Sequence, residues 1–170
     1  MPRSLAEGHT KLVILTTKPV DPANPTLAEL TAGIDACSNI LESDFVFGAQ
    51  DSEKIAEKAL CAEGNSNAIG AGNYQCSFTL WRYWDAATKA ADAATDTVFT
   101  AVKAKGTELW VYARLTAKKA TEAFAADDEL YLGAMVVTDN LQPPSEKGGY
   151  IKWHLPTEVQ QAWPFIKVHA

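Results

Sequence analysis

The segment ELWVYARLT, residues 108–116, alternates side chains in a way that predicts a β-strand. Successive side chains of a strand point to opposite faces of its sheet. One face of this segment is aliphatic and comprises Leu109, Val111, Ala113 and Leu115. The other carries Trp110, Tyr112 and Arg114. Because both faces carry large residues, we expect each face to be covered by other parts of a protein.

The segment SFTLWRYWD, residues 77–85, raises the same question on a second predicted strand. Phe78 and Leu80 share one face with Arg82 and Trp84, whereas Trp81 and Tyr83 point to the other. A second layer of the same chain, such as a flanking helix, is one explanation. The favoured one is a protein–protein interface, because Trp, Tyr and Arg are the usual anchors of buried contacts. The candidate intersubunit aromatics are Trp81, Tyr83, Trp110 and Tyr112.

Periodicity along the remaining chain predicts a mainly β protein. Strands are expected at residues 10–17, 39–48, 75–84, 108–116, 129–138 and 149–156, with a further strand in the tail at 162–170. A capping box of Thr26 and Glu29 begins one short helix, and residues 92–105 form the best helix. Regular βαβ alternation is missing, so the expected fold is a two-sheet antiparallel β sandwich or open barrel with one flanking α-helix.

The chain is expected to form a single domain, residues 1–170, with extended segments. These are an N-terminal strand and arm region at 1–33, a long loop at 49–73 and a C-terminal arm or strand at 157–170. Residues 49–60 fit a helix and an extended arm equally well. Pro164 is expected at a sheet edge or a bulge. Segments of this type complete sheets between subunits by strand addition.

Composition excludes several classes of protein. Fifteen Lys and Arg against 21 Asp and Glu give a net charge of −6, which argues against binding nucleic acid through phosphate contacts. Cys37, Cys61 and Cys76 form no CxxC motif, so reduced, buried thiols are expected. We expect a cytosolic product without a membrane span, since the apolar run at 12–15 is too short for one.

Motifs of catalysis and cofactor binding do not stand out in the sequence. The three histidines have no ligand spacing, and His154 and His169 are expected to be solvated. Gly70-Ala71-Gly72 precedes a strand instead of opening a helix, so it does not predict a dinucleotide site. We therefore expect no enzyme, with no catalytic, cofactor-binding or metal residues.

Four stretches together resemble a known family, the major tail tube proteins of long flexible-tailed (siphovirus-type) bacteriophages, especially actinobacteriophages. They are RSLAEGHTKLVILTTKPVDPANPTLAELTAGIDAC (3–37), ALCAEGNSNAIGAGNYQCSFTLWRYWD (59–85), KGTELWVYARLT (105–116) and VVTDNLQPPSEKGGYIKWHLP (136–156). They are structural segments, and their joint order along most of the chain carries the resemblance.

The resemblance implies a structural virion protein that polymerises. Six copies would form a ring, and the inner sheets of the ring would join into one β-barrel. Stacked rings would make the tail tube, with residues 49–73 as the inter-ring loop and the two terminal segments tying rings together. Implied partners are copies of itself, the tape measure protein, and the terminator and tail-tip proteins. The implied location is the virion tail, after assembly in the host cytoplasm.

The same resemblance implies that double-stranded DNA passes through the tube without specific binding. A basic lumen would hold the phosphates, whereas an acidic lining lets the duplex slide. The candidate lumen-facing acids are Glu42 and Asp44, expected on one face of the second strand, and Asp51 and Glu53 just beyond it.

Two other functions remain open from the residues. The first is a monomeric or dimeric β sandwich that binds a carbohydrate or another ligand on a platform of Trp81, Tyr83, Trp110 and Tyr112. The second is a small β-barrel enzyme that uses a carboxylate pair without a recognisable motif.

Overall fold

A computed structural model describes residues 5–61, 63–144 and 148–170. The first four residues of the predicted N-terminal arm, residue 62 of the predicted loop and residues 145–147 of the fourth matching stretch lie outside the described residues. Nine strands are present in the described ranges: β1 (Thr10–Leu15), β2 (Ile34–Asp35), β3 (Ile40–Gln50), β4 (Lys54–Glu57), β5 (Ser66–Ile69), β6 (Asn73–Trp81), β7 (Glu108–Leu115), β8 (Glu129–Thr138) and β9 (Lys152–Lys167). Two short helices accompany them: α1 (Leu27–Ala32) and α2 (Thr97–Val102).

Seven strands form one antiparallel sheet in the order β2-β1-β7-β8-β9-β6-β3, and β4 pairs with β5 as a separate hairpin. The predicted fold class, a mainly β antiparallel architecture with a flanking helix and a long loop, is confirmed. The strand ELWVYARLT lies between β1 and β8, so neighbours pair with it on both edges.

The long strand β9 makes the sheet curl into two layers. Its first part, residues 152–157, pairs with β6, and residues 157–167 pair with β8. The sequence predicted two separate strands here, but they are one. Pro164 lies in the second part, where β8 is its pairing neighbour, and this agrees with the predicted edge position.

The main core lies between the two layers. Leu109, Val111 and Ala113 of β7 pack there with Phe78 and Leu80 of β6. These five side chains are almost completely removed from solvent. Burial on this scale supplies most of the favourable free energy of folding for a small domain.

A second core covers the opposite face of β7. Trp110 and Tyr112 pack there with Leu30 of α1, Phe124 and the tail residue Val168. The capping box predicted at Thr26 and Glu29 is present and begins α1. The short helix α1, and not the helix expected at 92–105, therefore covers this face of β7.

Several predicted boundaries were wrong, for local reasons. The helix expected at 92–105 is limited to 97–102, because the Asp92 carboxylate accepts the amide of Ala94 and holds a turn instead. The strand expected at 75–84 ends at Trp81. Leu115 was expected to be covered with the rest of its aliphatic face, yet it is exposed at the end of β7.

The loop at 49–73 is an extended hairpin with no helix in its described residues. Asp51, Ser52 and Glu53 lead into β4, and a turn returns the chain through β5. The Gly70 amide donates to the Glu53 carbonyl at 2.7 Å and closes the base of the hairpin. Both strands are exposed along their whole length.

Gly133 of β8 shows how closely the second core is packed. A Cβ at this position would lie 2.6 Å from Cε1 of Tyr112 and 3.0 Å from Cδ1 of Ile166. Both neighbours are held in the second core, where Tyr112 is fully buried. Glycine therefore makes room for the Tyr112 ring.

We expect Gly133→Ala to lower the free energy of unfolding by about 1–3 kcal/mol, the usual cost of overpacking a core. The matched control is Gly48→Ala in β3, where a Cβ would meet nothing within 4 Å, and its effect should stay within about 0.5 kcal/mol. Urea denaturation of dilute protein measures both. Equal stabilities of the two variants would contradict this account of the second core.

Candidate functional site

The four candidate aromatics fall into two pairs. Tyr112 is fully buried and Trp110 nearly so, and the Tyr112 hydroxyl donates to the carbonyl of Pro22 at 2.9 Å. The proline-rich loop, residues 18–25, and α1 therefore cover both side chains. Burial raises the pKa of Tyr112, so its hydroxyl remains a donor. As the chain stands, these two residues present no surface to a neighbouring copy.

Trp81 and Tyr83 remain half-buried at the end of β6. The Tyr83 hydroxyl donates to the carbonyl of Ser38 at 3.2 Å, and Trp81 lines a surface cleft. Because these residues and the buried pair are on different parts of the fold, the four-ring platform expected for a carbohydrate-binding module is not formed.

Arg82 takes no part in an outward-facing surface. Its guanidinium lies 3.5 Å from the ring centroid of Phe99 and 4.7 Å from that of Trp84. Its Nε donates to the buried carboxylate of Asp96 at 2.7 Å. The charged and aromatic part of SFTLWRYWD thus attaches α2 to β6, an arrangement that regular strand alternation could not show.

The four candidate acids are all exposed. Regular alternation along the second predicted strand placed Glu42 and Asp44 on one face, but β3 is irregular at these residues. Leu41 pairs with Thr79 and Val46 with Ser77, so residues 42–45 bulge out of β3. Asp44 accepts a hydrogen bond from the Thr79 hydroxyl at 3.0 Å, on the face of β6 that points away from the core. Asp51 and Glu53 lie at the base of the β4–β5 hairpin.

The hairpin presents apolar side chains to solvent. Leu60, near its tip, is fully exposed, Ile69 is 83% exposed and Ile55 is 52% exposed. A lone two-stranded hairpin is marginally stable in water unless it packs on something. These apolar residues are therefore suited to a contact outside the chain.

A cleft opens at the opposite end of the β3–β6 pair, with a volume of about 480 Å³. Its walls come from the start of β1, the 3-10 turn at Cys37–Asn39, the bulged part of β3 and the loop after β7. The lining residues are Gly8, Thr10, Leu12, Cys37, Ser38, Ile40, Leu41, Glu42, Phe45, Trp81 and Ala120. Most of them are apolar, and Glu42 is the one ionisable carboxylate in this lining.

Arg114 fixes the loop that forms one wall of this cleft. The side chain is completely buried, and its terminal nitrogens donate to the carbonyls of Lys119, Glu122 and Ala123. Its Nη1 also pairs with the Asp128 carboxylate at 2.9 Å. The sequence suggested an intersubunit face for Arg114, but the residue organises its own loop.

Asp128 balances this buried charge. Burial alone would raise its pKa, but hydrogen bonds from Lys118, from the amide of Ala125 and from Arg114 outweigh burial and hold the pKa below its usual value. The ion pair and the carbonyl contacts together keep Ala120 at the cleft, where its amide also donates to the Gly8 carbonyl at 2.8 Å.

The cysteines differ in their surroundings. Burial raises the pKa of Cys37 and of Cys76 to about 11, which keeps both as thiols. The expectation of buried thiols was wrong for Cys61, which is exposed next to Leu60 in the hairpin turn. His169 is exposed as predicted, whereas His154 is half-buried against Thr79.

Other kinds of site find no support in the described part of the chain. No group of three His, Cys, Asp or Glu side chains there could hold a metal ion. The helices of that part are also too short to cross a membrane.

Sequence reasoning missed the cleft, whose walls come from four separated segments. Its one available signal was the cluster of large residues at 40–45.

Comparison with known proteins gives a whole-chain match. A family model described as phage tail tube protein matches residues 1–169. The search of curated proteins finds no match.

We expect Asp128→Asn to lower the free energy of unfolding at neutral pH by about 3–5 kcal/mol, because a buried arginine loses its charged partner. The control is Asp139→Asn. Asp139 pairs with Lys105 at 3.0 Å on the surface, where such a pair contributes less than about 1 kcal/mol. Urea denaturation at low protein concentration compares them.

The same variants test the pH dependence. Asp128 has a folded pKa below its unfolded value, so its contribution is present above the unfolded pKa, about 4, and is lost as the pH falls through the folded pKa. Asp128→Asn should therefore lose less stability than the wild type between about pH 5 and about pH 2. These two limits lie on either side of the unfolded pKa of aspartate, about 4. If Asp128→Asn and the wild type lost the same stability in acid, the stabilising role of the Arg114–Asp128 ion pair would be contradicted.

Proposed function

The chain belongs to the phage tail tube protein family, and from this premise we propose that its copies close into six-membered rings that stack into a DNA-conducting tube. The family makes it a structural protein of the virion tail that assembles with copies of itself. The ring size, the stacking and the passage of DNA are the parts that we propose.

The observation that carries the proposal is the pattern of uncovered edges in the seven-strand sheet. β3 is the last strand of the described sheet and is 11 residues long. The second part of β9, residues 158–167, pairs with β8 alone in the described chain. Such edges promote uncontrolled pairing unless they are covered. Strand pairing between neighbours around a ring would cover them.

Contacts between rings differ from contacts within a ring. A head-to-tail contact that closes on itself limits the number of copies, whereas a contact along the axis leaves the polymer open. We assign the axial contact to the β4–β5 hairpin, which stands clear of the sheet. The C-terminal segment and the proline-rich loop are less suited, because the His169 amide donates to the Pro25 carbonyl at 2.9 Å and holds the two segments together.

The lumen, in this proposal, is lined by the polar face of β3 and β6. Asp44 is exposed on this face and accepts a hydrogen bond from the hydroxyl of the buried Thr79 beneath it. A net charge of −6 per copy repels the phosphates, so the duplex slides instead of binding. During assembly the tape measure protein would occupy the lumen, with terminator and tail-tip proteins at the two ends.

We expect purified protein to form rings and then tubes of one diameter as its concentration rises, because pairing of the free edges is a mass-action process. Negative-stain electron microscopy and gel filtration measure this. A compact monomer at every concentration, also in the presence of isolated tail tips, would contradict the proposal. Binding of glycans by such a monomer would favour the carbohydrate-binding alternative.

Charge reversal tests the lumen. We expect Asp44→Lys with Asp51→Lys to leave tube assembly intact and to reduce DNA delivery at least tenfold, since the new cations bind phosphates by counterion release. Glu42 is kept unchanged because it also lines the cleft. The control is Asp127→Lys with Glu129→Lys, two exposed acids, the first in the turn before β8 and the second at its start. Infectivity of reconstituted phage is the measurement, and equal infectivity of the two double variants would remove Asp44 and Asp51 from the lumen.

A further inference from the structure

The hairpin and the cleft lie at opposite ends of one strand pair. β3 begins at the cleft with Ile40 and leads into the hairpin after Gln50, and β6 returns from the hairpin at Asn73 to the cleft at Trp81. The nine residues of β6 span about 27 Å at the usual rise of a strand. The hairpin of one copy therefore cannot reach the cleft of the same copy without breaking this pair.

We propose that the hairpin turn of one copy inserts Leu60 into the cleft of a second copy in the next ring. This inference rests on the proposed function and names the surface that receives the inter-ring hairpin. A projection at one end and a recess at the other give a contact that repeats along an axis and does not close.

The chemistry of the two surfaces is complementary. Leu60 is fully exposed in the described chain, and the cleft offers apolar walls from Leu41, Phe45 and Trp81. The volume of about 480 Å³ is large enough for a leucine side chain with its neighbouring residues. Transfer of one leucine side chain from water to such an apolar site is favourable, and a ring repeats the contact in every copy.

Charge fits the same arrangement. Lys58 lies two residues before Leu60 and is exposed, and Glu42 at the cleft is exposed as well. The seated hairpin would bring this lysine to the carboxylate. The contact also accounts for a free-standing hairpin with all of its strand residues exposed, since packing on a second copy supplies the support that such a hairpin lacks alone.

Leu60→Asp tests the insertion. We expect this variant to fold as the wild type does, because the Leu60 side chain is fully exposed in the described chain, and to form rings that do not stack. Val20→Asp is the matched control, since Val20 is another exposed apolar residue, 94% accessible, in the proline-rich loop. Sedimentation and electron microscopy should show tubes for the control and at least a tenfold loss of tubes for Leu60→Asp.

Cross-linking tests the place of insertion. Cys61 is exposed beside Leu60, and Ala120 lines the cleft, so tubes of Ala120→Cys treated with a short bis-maleimide should give a ladder of covalently linked chains on a denaturing gel. Ala117→Cys, on the exposed part of the same loop, is the control. Adding Cys61→Ser to Ala120→Cys should abolish the ladder.

The outcomes separate the two proposals. Failure of the wild-type chain to form any ring or tube overturns the proposed function and this inference with it. Normal tubes from Leu60→Asp, or tubes of Ala120→Cys that give no more ladder than Ala117→Cys, overturn the insertion alone and leave the tube intact. Loss of stacking together with a Cys61-dependent ladder supports the insertion.

Discussion

The structure depends on the burial of both faces of β7. The side chains of a central strand cannot be hidden by one layer alone, so the sheet needs covers on two sides. On one side the curl through β9 brings β6 and β3 over Leu109 and Val111. On the other, α1 and the proline-rich loop close over Trp110 and Tyr112. The curl, the helix and the path of the N-terminal segment all follow from this requirement.

Once β7 is covered, the remaining uncovered features lie elsewhere on the fold. They are the outer edge of β3, the second part of β9, the β4–β5 hairpin and the apolar cleft. Each is unfavourable in an isolated monomer, because free strand edges and exposed apolar residues promote uncontrolled association. In a tail tube protein, the same features are available for contacts between copies. In the proposed tube, the hairpin and the cleft at opposite ends of β3 and β6 would give the assembly a direction.

The cations among the aromatic residues serve the chain itself. Arg82 stacks on Phe99 and pairs with Asp96, and Arg114 pairs with Asp128 while binding three carbonyls. The buried guanidinium of Arg114 is tolerated because all of its donors except Nε are hydrogen-bonded in this way. The alternation of aromatic and basic residues that suggested an interface is thus largely explained by internal packing, and the assembly contacts are assigned to less conspicuous residues such as Leu60.

The sequence by itself determined the mainly β class, most strand positions and the capping box at Thr26, because alternation and capping are local properties of the backbone. The ordered set of stretches also sufficed for the family. Only the tertiary structure decided which chain segment covers Trp110 and Tyr112, that Glu42 and Asp44 lie in a bulge, and that a cleft forms between segments from residue 8 to residue 120. These features depend on contacts between residues far apart in the chain, and the alternation along a single strand carries no information about such contacts.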